Sequence, residues 1–469
     1  MCIKSGDKSS ILMTPYSLLN KEKMKNILIL FSSMVLLVLG NSSHAQKVVG
    51  RSWKFDFGNG AISEGYQQVL PAHKYNKSRG YGFLEGKEPQ AFNHGKDALK
   101  GDFVSSDRPF FFTVDVPEGN YDVKVVLGDP KGTSSTTVRA ENRRLMLDKT
   151  TTKYARQVEK SFSVHVRYPE IARTDRKVRL KSRELDYLHW DHQLTLEFNG
   201  DAPKLVSIEI SPNTKAPTVF LAGNSTVVDQ AYEPWAAWGQ MFPVFFKPGK
   251  VVIANHAESG ETFKAFRGEG RLDNILSLMK PGDYLFMEFA HNDQKPGGSH
   301  VAPFTTYQEI IREYIAAIRE KGGIPVLVTS MHRRRFDKEG KIINTLEEYP
   351  EAMRQLAEED GIALIDLNAM SKVLYEAWGE EYSKKAFVHF PAGTFEGQTQ
   401  DFADDTHFST YGAYQLASCV VEGLKATNLR LKKYLKKGLP SYDPENPPSF
   451  EEFYWPLSTR TSIIKPDGD

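Results

Sequence analysis

Five short apolar runs in the C-terminal half restrict the possible folds most strongly. They read "TVFLAG", "VVIANH", "YLFMEFA", "IPVLVTS" and "ALIDL", starting at Thr218. Between them lie stretches of helical periodicity. In "TTYQEIIREYIAAIREKGG", Tyr307, Ile311, Tyr314 and Ile318 recur at helical spacing. Near-continuous apolar strands alternating with helices imply a parallel sheet covered on both faces, an α/β domain. Functional residues then belong just past the C-terminal ends of the strands.

Before Thr218 the pattern is different. From Val48 to Ser211 the chain reads as short strands and turns. "SWKFDFGNG" alternates before a Gly-Asn-Gly turn. "FFFTVDVPEGNYDVKVVLGD" reads as two β runs joined in a hairpin at Pro117–Asn120. "KSFSVHVRY", "KVRLKSRE", "HQLTLEFNG" and "PKLVSIEISP" continue the series. This predicts a β-sandwich over 48–211, a linker at "PNTKAP" and the α/β domain over 218–436. The remaining 437–469, rich in Pro and aromatics, lacks periodicity and is expected to lie as extended chain over one of the domains.

Residues 24–45, "MKNILILFSSMVLLVLGNSSHA", combine a basic start, an apolar core and small residues before Gln46. This is the pattern of a cleaved secretory signal peptide, which implies a secreted or periplasmic protein with no membrane attachment after cleavage. An uncleaved anchor is the alternative reading. Beyond the leader only Cys419 remains, in an apolar helical pattern, so no internal disulfide is expected. The net charge of +1 provides no global basic field for nucleic acid.

Each apolar run ends in polar residues: Asn224-Ser225, then Glu258-Ser259-Gly260, then His291-Asn292-Asp293, then His332 with Arg333, Arg334 and Arg335. Farther on, "FADDTHFSTYGAYQLA" places Asp404 and His407 three positions apart, close enough to meet on a turn or a first helical turn. Ser225 on its own fits a helix cap as well as a nucleophile, and Asp404 fits a cap beside a surface histidine. Together they contain the parts of nucleophilic catalysis: a hydroxyl, a base to take its proton and a carboxylate to orient the base. No His/Cys/Asp cluster has metal-site spacing and no Gly-rich phosphate loop is present, so neither metal nor cofactor is expected.

In their order and strand-end placement, "GNST", "ESGET", "HND" and "DDTH" resemble the four blocks of the SGNH, or GDSL, hydrolases over residues 217–430. The closer likeness is to rhamnogalacturonan acetylesterases, and the N-terminal region resembles the galactose-binding-like sandwich that some bacterial members carry. The resemblance implies a three-layer α/β hydrolase domain. It also implies a nucleophile at Ser225, an acid and base at Asp404 and His407, and an oxyanion hole from Ser225, Gly260 and Asn292. The implied substrate is an acetylated pectic polysaccharide or oligosaccharide. Arg333, Arg334 and Arg335, with His291, are the expected substrate-binding residues, because guanidinium groups pair with galacturonate carboxylates in a two-pronged geometry. Two positions depart from the family pattern: Asn224 where Asp is usual, and Ala290 where Gly is usual, whose methyl group would crowd the turn. The competing readings are an esterase or lipase for another acyl ester, and a glycan-binding protein without catalysis.

Overall fold

The computed structural model describes residues 52–467. The segment 24–45, expected to be a leader, lies outside them. Among the described residues no helix is long and apolar enough to cross a membrane.

The N-terminal part is a pair of β-sheets. One contains Gln157–Val166, Gly119–Gly128, Lys204–Pro212, Trp53–Phe57 and Gln67–Val69 in that order, with Asp102–Ser105 and Gln90–Asn93 attached. The other is ordered Tyr81–Phe83, Phe110–Asp115, Gln193–Ala202, Ser134–Ala140 and Arg144–Thr152. Alternate residues face inward, and Phe55, Phe57, Phe112, Val123, Val125, Phe198 and Ile208 close the space between the sheets.

Two local expectations are corrected here. The strands Phe110–Asp115 and Gly119–Gly128 do not form a hairpin; they lie in opposite sheets. Phe112 and Val123 each gain a buried partner across the core that way. Gly119, at φ +149°, turns the corner between them. "KVRLKSRE" is not a strand: it runs irregularly into a 3₁₀ turn at Ser182–Asp186. Its polar side chains face the second domain, as described below.

The second sheet system has the order Val252–Asn255, Thr218–Gly223, Tyr284–Glu288, Ile324–Val328 and Ala363–Ile365, all parallel. Because strand side chains alternate, Val219 and Leu221 pack on one face with Trp238, Leu416 and Val420. Phe220 and Ala222 pack on the other with Phe263, Ile311 and Tyr314. Helices thus cover both faces in three layers. Gln308–Glu320 carries the predicted apolar stripe, with Ile311, Tyr314 and Ile318 buried. Cys419 is buried in Thr410–Ala426.

The two parts form one compact unit from Ser52 onward. The predicted linker is tied down: Asn213 N–H donates to Asn120 O at 2.7 Å, and Ala216 N–H to Asn213 Oδ1 at 2.9 Å. The C-terminal segment crosses both parts. Trp455 lies 3.9 Å from the Arg139 guanidinium and donates from Nε1 to Glu233 at 2.9 Å. Ser462 N–H then donates to Glu233 O at 3.0 Å.

Candidate active site

The site begins where Thr218–Gly223 ends. A Cβ on Gly223 would stand 2.4 Å from Val227 Cγ2 and 2.9 Å from Glu288 O, so only glycine permits so close a turn. The N–H groups of Val227 and Val228 donate to Asn224 O at 3.0 and 3.1 Å. Asn224 Oδ1 accepts from Thr226 N–H at 3.0 Å. That is a contact an aspartate oxygen would also make, so the turn keeps its geometry without the charge. Ala290, the other departure, is absent from the positive-φ residues and packs into the core, where its methyl group is accommodated.

On this turn Ser225 Oγ lies 2.9 Å from His407 Nε2, and His407 Nδ1 lies 2.8 Å from Asp404 Oδ2. Asp404 Oδ1 accepts from the N–H groups of Thr406 and His407 at 2.8 and 2.9 Å. Burial by itself would raise the Asp404 carboxyl pKa. The bond to and charge of His407, with those two N–H donors, outweigh burial and hold it well below the usual carboxylate range. The carboxylate therefore stays ionised and fixes the imidazole with its proton on Nδ1, leaving Nε2 to face the serine.

Of the two expected routes, a turn or a first helical turn, Asp404 and His407 do not use the helical one. They lie in the strand Phe402–Phe408, paired with Phe387–Phe390, and the register jumps between Phe387↔Phe408 and Val388↔Asp404. The intervening bulge brings His407 back towards Asp404. Ser409 caps the following helix, accepting from Gly412 N–H at 3.3 Å.

The second loop is bound to the first. Glu258 N–H donates to Gly223 O at 3.2 Å, and Gln230 Nε2 donates to Ser225 O at 2.9 Å while lying 3.4 Å from Ser259 Oγ. Gly260 has φ +81°, a conformation that favours glycine. The third loop joins the second through Asn292 Nδ2, which donates one N–H to Glu261 O at 3.1 Å. Ser225, Gly260 and Asn292 thus sit on three loops, the second bonded to both the first and the third.

His291 is as buried as Ser225 and His407. Burial, then the charges of Arg333 and His407, push its pKa well below the usual value, so its ring is neutral. The arginine triplet is placed differently from expectation. Arg334 is turned inward and held by Asp405 Oδ1 at 2.9 Å, by Ser383 Oγ at 3.0 Å and by Glu380 O. It braces the bulge beside Asp404, and a substrate contact is not available to it. Arg335 is the most exposed of the three and pairs with Asp405 at 3.2 Å. Arg333 reaches Thr345 Oγ1 and His291 O, both at 3.3 Å.

Sequence reasoning missed several residues around the site. Glu288 lies beneath it, with Oε2 2.7 Å from Thr226 Oγ1 and Oε1 bonded to Ser330. Its signal was its place in "EFAHND". Lys181 and Arg183 arrive from the "KVRLKSRE" segment and grip the second loop, with no local signal at all. Glu184, His189 and Glu258 come within metal-ligand distance of one another. Each already faces a guanidinium, of Arg271, Arg167 and Arg183 respectively, so the donor set suits cations already built into the chain.

Residues 53–163 match the galactose-binding-like domain of β-agarase/YXIM esterase-like proteins, and residues 221–414 match the GDSL-like lipase/acylhydrolase family. Over 219 residues the chain is 47% identical to rhamnogalacturonan acetylesterase RhgT of Bacillus subtilis, covering 46% of this chain and 93% of that protein. The chain belongs to the GDSL-like lipase/acylhydrolase family. As a member it is a carboxylic ester hydrolase. It is also 35% identical over 225 residues to the probable rhamnogalacturonan acetylesterase YesY of B. subtilis, covering 47% of this chain and 97% of that one. The esterase YxiM of the same organism is 29% identical over 411 residues, 84% of this chain and 96% of YxiM. RhgT and YesY are too short to contain both parts of this chain, whereas YxiM spans most of both.

Proposed function

We propose that the chain is a secreted serine esterase that removes acetyl groups from pectic rhamnogalacturonan. The observation that carries the mechanism is the continuous hydrogen-bond chain from Ser225 Oγ through His407 to Asp404. Ser225 Oγ attacks the acetyl carbonyl carbon as His407 Nε2 takes its proton. The carbonyl oxygen becomes an oxyanion, held by the N–H groups of Ser225 and Gly260 and the Asn292 amide. His407 returns the proton to the departing sugar oxygen, the C–O bond breaks and an acetyl-serine remains. Water, deprotonated by His407, attacks that ester, and the proton passes to Ser225 as acetate leaves. Asp404 keeps its charge throughout and stabilises the imidazolium. The chemistry requires no cofactor.

The substrate class is supported by the kinship with RhgT and YesY, which are named for acetyl removal from rhamnogalacturonan. Secretion is supported by the leader pattern of residues 24–45. The test is acetate release from acetylated rhamnogalacturonan, acetylated xylan and p-nitrophenyl acetate, with wild-type protein and Ser225→Ala. Wild type is expected to prefer the pectic polymer, and Ser225→Ala to release no acetate while melting normally. Turnover near wild type in Ser225→Ala would end the assignment of the nucleophile. A fluorophosphonate should label wild type and leave the variant unlabelled.

A further inference from the structure

Arg183 belongs to the N-terminal part of the chain yet stands beside Gly260. Its Nε and Nη2 hold Glu258 Oε1 at 3.1 and 2.8 Å, and Nη2 also donates to Ser259 O at 2.9 Å. These contacts use one edge of the planar guanidinium and fix its direction. Nη1, on the other edge, meets the carboxylate of Asp467. The Arg183 side chain is 31% exposed while Glu258 is 1% exposed, so the group is anchored at its buried edge and open at its outer one.

The carboxylate partner belongs to the last described turn of the chain. Asp467 Cβ lies 3.1 Å from where a Cβ on Gly260 would stand, and Lys181 Nζ lies 3.4 Å from the same point. Two residues earlier, Lys465 Nζ is 3.5 Å from Asp404 Oδ2. The C-terminal segment therefore runs from the acid end of the Ser225–His407–Asp404 chain to the loop that carries Gly260. It sets a carboxylate beside the expected oxyanion hole, against the outer edge of an arginine whose inner edge holds the loop and whose outer edge takes no part in the ester chemistry. The shorter relatives, which have no room for the N-terminal domain, cannot present an arginine from it.

We propose that Arg183 is a carboxylate-recognising subsite for an acidic sugar of the substrate, and that Asp467 occupies it until substrate displaces the tail. The inference rests on the esterase reading above and deepens it. It moves the recognition of a uronate from the Arg333–Arg335 triplet, whose side chains have internal partners, to the N-terminal domain. A guanidinium held by a buried carboxylate on one edge is pre-oriented to meet a second carboxylate on the other. Asp467, 61% exposed at its side chain, is placed to leave when a better-fitting carboxylate arrives.

The test compares kcat/KM on an acetylated, uronate-containing oligosaccharide with kcat/KM on p-nitrophenyl acetate, which has no carboxylate. Arg183→Gln should lower the acidic-to-neutral ratio roughly tenfold to a hundredfold, as for loss of one charged hydrogen-bonding group. Arg183→Lys should recover only part of it. Asp467→Asn, on an exposed side chain, should raise the ratio by about threefold or more, because a bound internal competitor is removed. In the Arg183→Gln background Asp467→Asn should change nothing. An unchanged ratio in Arg183→Gln would mean that the residue only shapes the loop, and a lowered ratio in Asp467→Asn would exclude the tail as a competitor; either overturns the proposal. Wild-type protein that cleaves the neutral ester but leaves the acidic oligosaccharide acetylated overturns the substrate reading, and this inference with it, before any variant is made.

Discussion

Asn292 shows how one side chain can serve both loop structure and chemistry. One amide N–H holds Glu261 O at 3.1 Å, which leaves the second for a developing oxyanion. Such a contact strengthens as charge grows on the carbonyl oxygen. Asn292→Ala should therefore lower kcat by about 10²–10³ while KM moves little. Initial-rate kinetics on p-nitrophenyl acetate would show this, and a rise confined to KM would make Asn292 a substrate-positioning residue. The fold brings Ser225, His407 and Asp404, the residues proposed to react, into contact. They were legible as candidates in the sequence because each lies in a short polar block. Their partners were not. "DDTH" displays the spacing of Asp404 and His407 but not the bulge that brings them together. "RRR" displays positive charge at the right edge of the sheet but not its direction. Asp405 draws Arg334 inward, and only the folded bulge puts that carboxylate within reach.

The element that most changes the reading of this chain is the segment 177–186. Its alternation of apolar and charged residues resembles a strand, yet its polar side chains find partners on the second loop of the α/β domain. Lys181 Nζ lies 2.5 Å from both Ser259 O and Glu261 Oε1. The Arg271 guanidinium joins Glu184 at 2.5 Å in the same layer. A sequence pattern records which residues are apolar, and the strand reading failed because these contacts are made by charged residues far apart in the chain. The alternating apolar runs of the parallel sheet were legible because their partners are simply more of the same pattern. If Lys181 holds the loop carrying Gly260, Lys181→Met should keep the aliphatic stem and lose the grip. We expect kcat to fall about tenfold on acidic and neutral esters alike, at the low end for a charged hydrogen bond, with partial recovery in Lys181→Arg. A fall on the acidic substrate alone would instead assign Lys181 to substrate recognition beside Arg183.

At the scale of the whole molecule, the junction between sandwich and α/β domain is built from buried charge. Arg143 pairs with Glu233 at 2.7 Å and Arg144 with Asp229 at 2.8 Å, all four side chains nearly sealed from water. Breaking one such pair leaves an uncompensated buried charge, at a cost of about 3–5 kcal/mol, so neither half is a free-standing accessory of the other. His256 sits in this junction, with its ring among Phe220, Trp190 and His165 and both ring nitrogens without a hydrogen-bond partner. Burial first, then Arg167, His165, Arg144 and Arg271, push its pKa well below the usual histidine value. The folded protein therefore keeps His256 neutral where the unfolded chain takes up a proton, below about pH 6.5. Its stabilising contribution is fully present above that pH and is lost as pH falls towards the folded value, by up to about 1.4 kcal/mol per pH unit. His165 and His189, also lowered by burial and nearby arginines, act in the same direction. Glu261, raised by burial to about 7, acts in the opposite one, because the folded state holds its proton more tightly. Wild type alone cannot separate these groups, but a difference can. His256→Phe removes the titrating ring and keeps an aromatic one. Urea unfolding of both proteins should show the variant gaining on wild type as pH falls from about 6 to 5, with a slope shallower by about that same 1.4 kcal/mol per unit. A gap that stays constant with pH would assign the acid sensitivity to the other junction groups.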